Sequence, residues 1–127
     1  MIYHYAKTWY PPMPVLEIRL GYPEENLSLG PYTAIVDTAA DGTIVPIRLI
    51  ERLEAPFVDD VRLCSQWGEW HRARMFTVDI GIDQLCLPAI EVVGDERGDE
   101  IILGRNMLNK LRLLLDGPNT LTKVLDE

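Results

Sequence analysis

The chain has 127 residues, 47% of them hydrophobic, and a formal charge of −8. That length suits one domain able to bury a real core, and an acidic chain with no basic block to displace phosphate counterions argues against a nucleic-acid partner. No stretch approaches a membrane span and the first ten residues lack a signal peptide's apolar core and cleavage site, so the expected location is cytoplasmic, where Cys64 and Cys86 would stay reduced.

The first clear element is Val15 to Leu20, loosely alternating, preceded by Pro11, Pro12 and Pro14 and ended by Gly21. This reads as a strand with a hard left boundary. Residues 22–31 collect turn formers and charge, and the run from Tyr32 to Val36 reads as the partner strand of a hairpin with a long tip. Thr43, Ile44 and Val45 form a β-branched strand stopped by Pro46, and Ile47, Leu49, Ile50 and Leu53 recur at near-helical spacing.

After Asp60 two strands are expected to meet at or near Gly68. In the second, apolar Phe76, Val78, Ile80 and Ile82 alternate with Met75, Thr77 and Asp79. Leu85 to Val93 is a further strand interrupted by Pro88, which cannot donate to a ladder and belongs at an edge or bulge. Residues 94–98 read as a charged turn, and Glu100 to Leu103 as a short apolar strand ending at Gly104. Met107, Leu108 and Leu111 mark one side of a helix of about two turns. Leu113 to Leu115, the turn at 116–119, and a last strand from Thr120 to Leu125 complete a mostly β chain, with no internal repeat and no linker that would divide it.

Two short segments carry chemistry. Residues 34–46 place Asp37-Thr38 at the end of a hydrophobic strand, followed by Ala39, Ala40, Asp41 and Gly42, then a second β-branched strand. Residues 101–108 read Ile-Ile-Leu-Gly-Arg-Asn-Met-Leu. Asp and Thr at a strand end commonly do no more than satisfy loose amides. The two segments in this order, some sixty residues apart, are far more specific.

Over about residues 14–116 the chain resembles the retropepsin-like aspartic peptidases, the retroviral enzymes and their bacterial single-domain relatives. The resemblance implies a retropepsin-like domain over residues 1–127, a half-barrel whose active site forms at a homodimer axis, since the chain has one Asp-Thr pair and the chemistry needs two facing carboxylates. Asp37 matches the catalytic aspartate. Thr38 matches the residue whose hydroxyl reaches the partner chain's backbone. Asp41 and Arg105 match a pair bracing the active-site loop, with Asp41 also near the incoming peptide, and Asn106 follows in the same Gly-Arg-Asn motif. An arginine fork suits that brace because it holds a carboxylate through two parallel hydrogen bonds. Without the resemblance, Arg105 reads as a solvated cation at a helix start. Neither metal nor cofactor is implied.

Ala39 stands where the family has glycine. Alanine keeps the amide but adds a Cβ where a ligand's backbone approaches, and it penalises a positive φ. The segment from Cys64 to His71 lies where the family has its flap, the hairpin closing over bound peptide. Gly68 is the only glycine available for its turn, and Trp67 and Trp70 are candidates to cap substrate side chains. Each tryptophan alone fits hairpin packing or a dimer contact slightly better.

Two functions follow. One is a homodimeric aspartic endopeptidase acting on an extended peptide or protein substrate, with Asp37 of each copy activating water. The other is a catalytically silent peptide-binding or structural dimer module of the same fold, which Ala39 and the single flap glycine favour. Retention of Asp37, Thr38, Asp41, Arg105 and Asn106 favours the first, and the terminal strand at 120–125 is expected to leave an open edge for the second copy to cover.

Overall fold

The computed structural model describes residues 1–64 and 67–125. Ser65 and Gln66, which fall in the expected flap, lie outside the described residues.

Strand β2 (Val15–Gly21) carries alternating buried residues and pairs antiparallel with β3 (Leu29–Val36), which begins three residues earlier than Tyr32. Short strand β4 (Thr43–Pro46) leads straight into helix α1 (Ile47–Leu53), whose Leu49, Ile50 and Leu53 face inward. Proline suits that junction because it lacks an N–H that the helix start could not use anyway. Strand β5 (Phe57–Cys64), starting before Asp60, and β6 (Trp70–Ile82) form the hairpin expected around Gly68, pairing from Phe57↔Phe76 to Cys64↔Trp70. Strand β7 (Leu85–Asp95) pairs with β6, and β8 (Ile101–Leu103) is followed by helix α2 (Arg105–Leu108). Gly94 and Asp95 belong to β7 and not to a turn, because β4 runs parallel beside them in the register Val45↔Gly94 and Pro46↔Asp95.

The main sheet has the order β2-β3-β8-β4-β7-β6-β5, and a further pairing of β2 with β6 closes it on itself. Strand β8 lies between β3 and β4, parallel to the first and antiparallel to the second. The two strands flanking the Asp37 loop are therefore held apart by the strand that carries Gly104 at its end. Leu16, Ile18 and Leu20 of β2, Val78, Ile80 and Ile82 of β6, and Leu103 are all fully or almost fully buried inside this closed sheet, with Met107 of α2 beside them.

Pro88 sits at a bulge, as its missing donor requires: Val78 pairs with Ile90 and Ile80 with Leu87, so Pro88 and Ala89 together oppose Asp79. The period-two reading puts Asp79 on a solvent face, yet it is only 5% exposed. The loop after β2 folds over that outer face, with Leu27 against Gly81. Asp79 accepts the amide N–H of Glu24 at 2.9 Å and of Ala89 at 2.8 Å, tying two residues with left-handed backbone, φ 69° and 53°.

Helix α2 is one turn, not two. Beyond it Lys110 N–H bonds to Met107 C=O and Leu111 N–H to Leu108 C=O, tighter i→i+3 links that turn the chain while Leu111 still packs on the core. The last strand, β10 (Leu121–Val124), lies between β9 (Leu113–Asp116) and a strand the hydrophobic pattern did not reveal, β1 (Ile2–His4). Both edges of β10 are thus occupied within the chain. The expectation that it offers an open edge is corrected; the edges of this three-stranded sheet are β1 and β9. Among the described residues no helix is long and apolar enough to cross a membrane.

Candidate active site

Where β3 ends, Asp37 continues its line beside β8, its N–H donating to Leu103 C=O at 3.1 Å. The chain then turns, with Ala40 N–H on Asp37 C=O at 3.2 Å, and the half-buried Asp37 carboxylate accepts Ala39 N–H through Oδ1 at 3.0 Å. An aspartate bonding its own backbone two residues on is a self-contained turn. Its other carboxylate oxygen has no hydrogen-bond partner among the described residues. Thr38 and Ala39 are exposed.

The loop rests on the start of α2. Arg105 N–H donates to Ala40 C=O at 2.8 Å and Asn106 N–H to Asp41 C=O at 3.2 Å, so amides that would be orphaned at a helix start are satisfied by the loop's carbonyls. The Arg105 side chain reaches back under the same loop. Its Nη1 donates to Thr38 C=O at 3.0 Å and Ala39 C=O at 3.1 Å, while Nη2 donates to Asp41 Oδ1. Asp41 and Arg105 therefore meet, but the Asp41 side chain is 93% exposed and not partly buried. Arg105 braces the loop at three points, two backbone carbonyls and one exposed carboxylate, and is not the partner of a buried charge.

Behind the loop runs a second set of bonds that includes a residue not singled out from the sequence. Thr43, fully buried, accepts Gly104 N–H at 3.1 Å and donates to Asn106 Oδ1 at 2.8 Å; Asn106 Nδ2 then donates to Glu91 C=O at 2.8 Å. This chain of bonds stitches β4, β8, α2 and β7 together beneath Asp37. The available signal was a hydroxyl residue opening an otherwise apolar strand directly after the loop. Gly104 is required by space: its backbone, φ −93° and ψ 179°, is open to any residue, but a Cβ there would lie 3.0 Å from Gly42 Cα and closer still to the Gly42 carbonyl.

Among the described residues, those with positive φ outside the glycines are Glu24, Glu54, Asp83, Ala89 and Thr120, and Ala39 is not one of them. Alanine is therefore accommodated in this loop without left-handed strain.

Facing the loop, the β5–β6 hairpin overhangs a groove. A cavity of about 630 Å³ is lined by Ala39 to Gly42 on one side and by Arg62, Leu63, Cys64, Trp70 and His71 on the other. Gly68 has φ 81° and open space around its Cα, as a turn glycine should. Trp67 at the tip is 81% exposed and Trp70 is 60% exposed, with the Arg62 guanidinium 5.2 Å from the Trp70 ring centre. Of the two tryptophans, Trp70 is the one lining the groove.

No family model matches the chain, and no curated protein matches it. Among solved structures it is similar to a retropepsin-like aspartic protease from Rickettsia conorii, with a TM-score of 0.64 and 13% identity over 98% of this chain and 88% of that one. It is also similar to the retroviral protease-like domain of Ddi1 from Leishmania major, with a TM-score of 0.49 and 18% identity over 90% of this chain and 96% of the other. The fold is retropepsin-like and mostly β.

Proposed function

We propose that this chain is one half of a homodimeric aspartic endopeptidase in which Asp37 of each copy faces its counterpart across a two-fold axis. The observation that carries the reading is the state of the Asp37 loop: one carboxylate oxygen held by Ala39 N–H, the other without a hydrogen-bond partner among the described residues, and the whole turn braced by Arg105. A loop fixed this firmly presents a carboxylate in one place, which positioning for catalysis demands.

Two such carboxylates brought together cannot both ionise easily, and the pair keeps one proton over a wide pH range, as aspartic proteases illustrate. The ionised member takes a proton from a shared water as that water attacks the peptide carbonyl. The protonated member donates to the carbonyl oxygen. Thr38, exposed and with no hydroxyl partner among the described residues, supplies in this reading the hydroxyl that bonds the second copy's loop. Ala39, Asp41, Trp67 and Gly68 are the residues assigned to the peptide, with Trp70 and His71 added from the groove; Arg105 and Asn106 support the loop. The terminal sheet has β1 and β9 as the edges through which a second copy can be joined.

Ala39 was the main argument for a catalytically silent module. Its backbone conformation removes the strain part of that argument, leaving only a methyl group that narrows the cleft.

The test is cleavage of an extended-peptide library in mildly acidic buffer. Activity is expected from the wild-type chain, blocked by peptidomimetics carrying a hydroxyl in place of the scissile carbonyl, because that hydroxyl imitates the tetrahedral intermediate. It is expected to vanish in Asp37→Asn. Cleavage that survives in Asp37→Asn would assign the chemistry elsewhere.

A further inference from the structure

In a chain of net charge −8, the hairpin over the groove places two arginines directly opposite each other. Arg62 and Arg72 are cross-strand partners in the β5–β6 register, between Val61↔Ala73 and Leu63↔His71. Directly opposed residues in an antiparallel pair have Cβ atoms about 4.5–5.5 Å apart, and like charges there are destabilising. Among the described residues the ion pairs are Arg48–Asp99, His71–Glu69, Arg74–Glu96 and Arg105–Asp41, and neither Arg62 nor Arg72 is in one.

Both arginines border the groove. Arg62 lines the cavity shared with the Ala39–Gly42 loop, and Arg72 lines the adjoining cavity of about 430 Å³. The two cavities have Ile44, Leu63, His71 and Val93 in common, so the groove is continuous and largely apolar where they join. The acidic groups along it are already engaged or opposed. Asp41 meets Arg105, Glu96 meets Arg74, Asp95 accepts Arg97 N–H, and Asp60 lies opposite Arg74 in the register. Glu69 lies beside His71 nearer the hairpin tip. Arg62 is additionally stacked on Trp70, which limits the directions its fork can take.

We infer that Arg62 and Arg72 are specificity-determining residues that hold an acidic side chain of the bound peptide, making acidic peptides the preferred substrates. The inference rests on the peptidase reading for the peptide's presence in the groove, and it adds the class of sequence that binds. An extended peptide sends alternate side chains to opposite sides. One set meets the apolar stretch at Ile44 and Val93, and a carboxylate from the other set reaches the arginine pair. A carboxylate between the two guanidiniums accepts charge-assisted hydrogen bonds and removes the repulsion of the empty pair. A neutral amide of the same shape does only part of this.

The experiment uses the full chain carrying Asp37→Asn, so that binding is read without cleavage. Dye-labelled extended peptides of apolar background are made in matched pairs, with Glu or Gln walked through each position, and their affinities are measured by fluorescence anisotropy. At one position the Glu peptide is expected to bind about tenfold more tightly than its Gln partner. That advantage should shrink to within about twofold at high salt. It should shrink likewise when Arg62→Met and Arg72→Met are introduced together, methionine keeping the apolar stems' bulk. Circular dichroism and the Gln-peptide affinity of this variant report whether the hairpin still folds. Equal affinity of Glu and Gln peptides at every position, a preference unchanged without the arginines, or no peptide binding at all would each overturn the inference. Cleavage by the wild-type chain with no acidic preference would leave the peptidase reading standing and remove this one. An acidic preference in binding without any cleavage would do the reverse.

Discussion

The replacement Gly104→Ala probes the joint on which the Asp37 loop rests. The backbone at Gly104 is extended, so alanine meets no conformational barrier, and by restricting the unfolded chain it would stabilise by about 0.4–1 kcal/mol if space allowed. Space does not allow it. The new Cβ would lie 3.0 Å from Gly42 Cα and closer still to the Gly42 carbonyl, all backbone atoms that cannot rotate away as a side chain would. Relief requires the loop and the β8–α2 junction to separate, and overpacking of this kind costs about 1–3 kcal/mol. Separation stretches Gly104 N–H to Thr43, Arg105 N–H to Ala40 and Asn106 N–H to Asp41, each worth about 0.5–1.5 kcal/mol. If one or two of these are lost, the net change is a destabilisation of about 2–4 kcal/mol. Urea unfolding with an unchanged m-value measures it. Gly42→Ala is the paired control, since a Cβ there has nothing within 4 Å and should be near neutral. Two variants of equal stability would refute the account of this joint.

Asp79→Ala should cost about 3 kcal/mol by urea unfolding, because a buried carboxylate accepting two backbone N–H groups is removed and both donors are stranded; a loss under about 1 kcal/mol would contradict its role as a clamp. Arg105→Ala should lower stability by only about 1 kcal/mol, its partners being well exposed, while peptide cleavage falls much further; a large stability loss with unchanged cleavage would oppose the loop-brace role. Ala39→Gly should cost roughly 0.4–1 kcal/mol and raise kcat/KM on an extended peptide, and a gain in stability would reveal strain at a residue described as unstrained. The Asn119 side chain, then its backbone amide, hold Asp116 below the usual carboxylate range. Its stabilising contribution is therefore present above the ordinary aspartate value and is lost as pH falls through the lowered one. Asn119→Ala should raise the Asp116 titration seen by NMR, and an unmoved titration would exclude that cause.

Strands with strong local patterning were legible: Val15–Gly21, the 43–46 strand with its following helix, and the long hairpin follow from alternation, β-branching and glycine. Pro88 announced its bulge through a missing donor. What was not legible depends on distant partners. Ile2–His4 has no pattern of its own and is a strand because β10 lies beside it, and Gly94-Asp95 became strand because β4 runs alongside. Asp79 looked solvent-facing because alternation cannot show that a loop whose Glu24 lies 55 residues earlier folds over that face. In the candidate site, Asp37, Asp41, Arg105 and Asn106 were found as motif residues and come together in one small region. Thr43 was missed because a buried threonine at a strand start looks like any β-branched residue until Gly104 and Asn106 are brought against it.

The central claim is that one active site is made by two Asp37 residues from two copies. Its most direct measurement is peptide cleavage by wild-type chain mixed and re-equilibrated with the Asp37→Asn chain at constant total concentration. If every site needs both aspartates, activity falls as the square of the wild-type fraction, to about a quarter in an equal mixture. Activity that falls only in proportion, to about a half, would mean that each chain carries its own complete site, and would contradict the account.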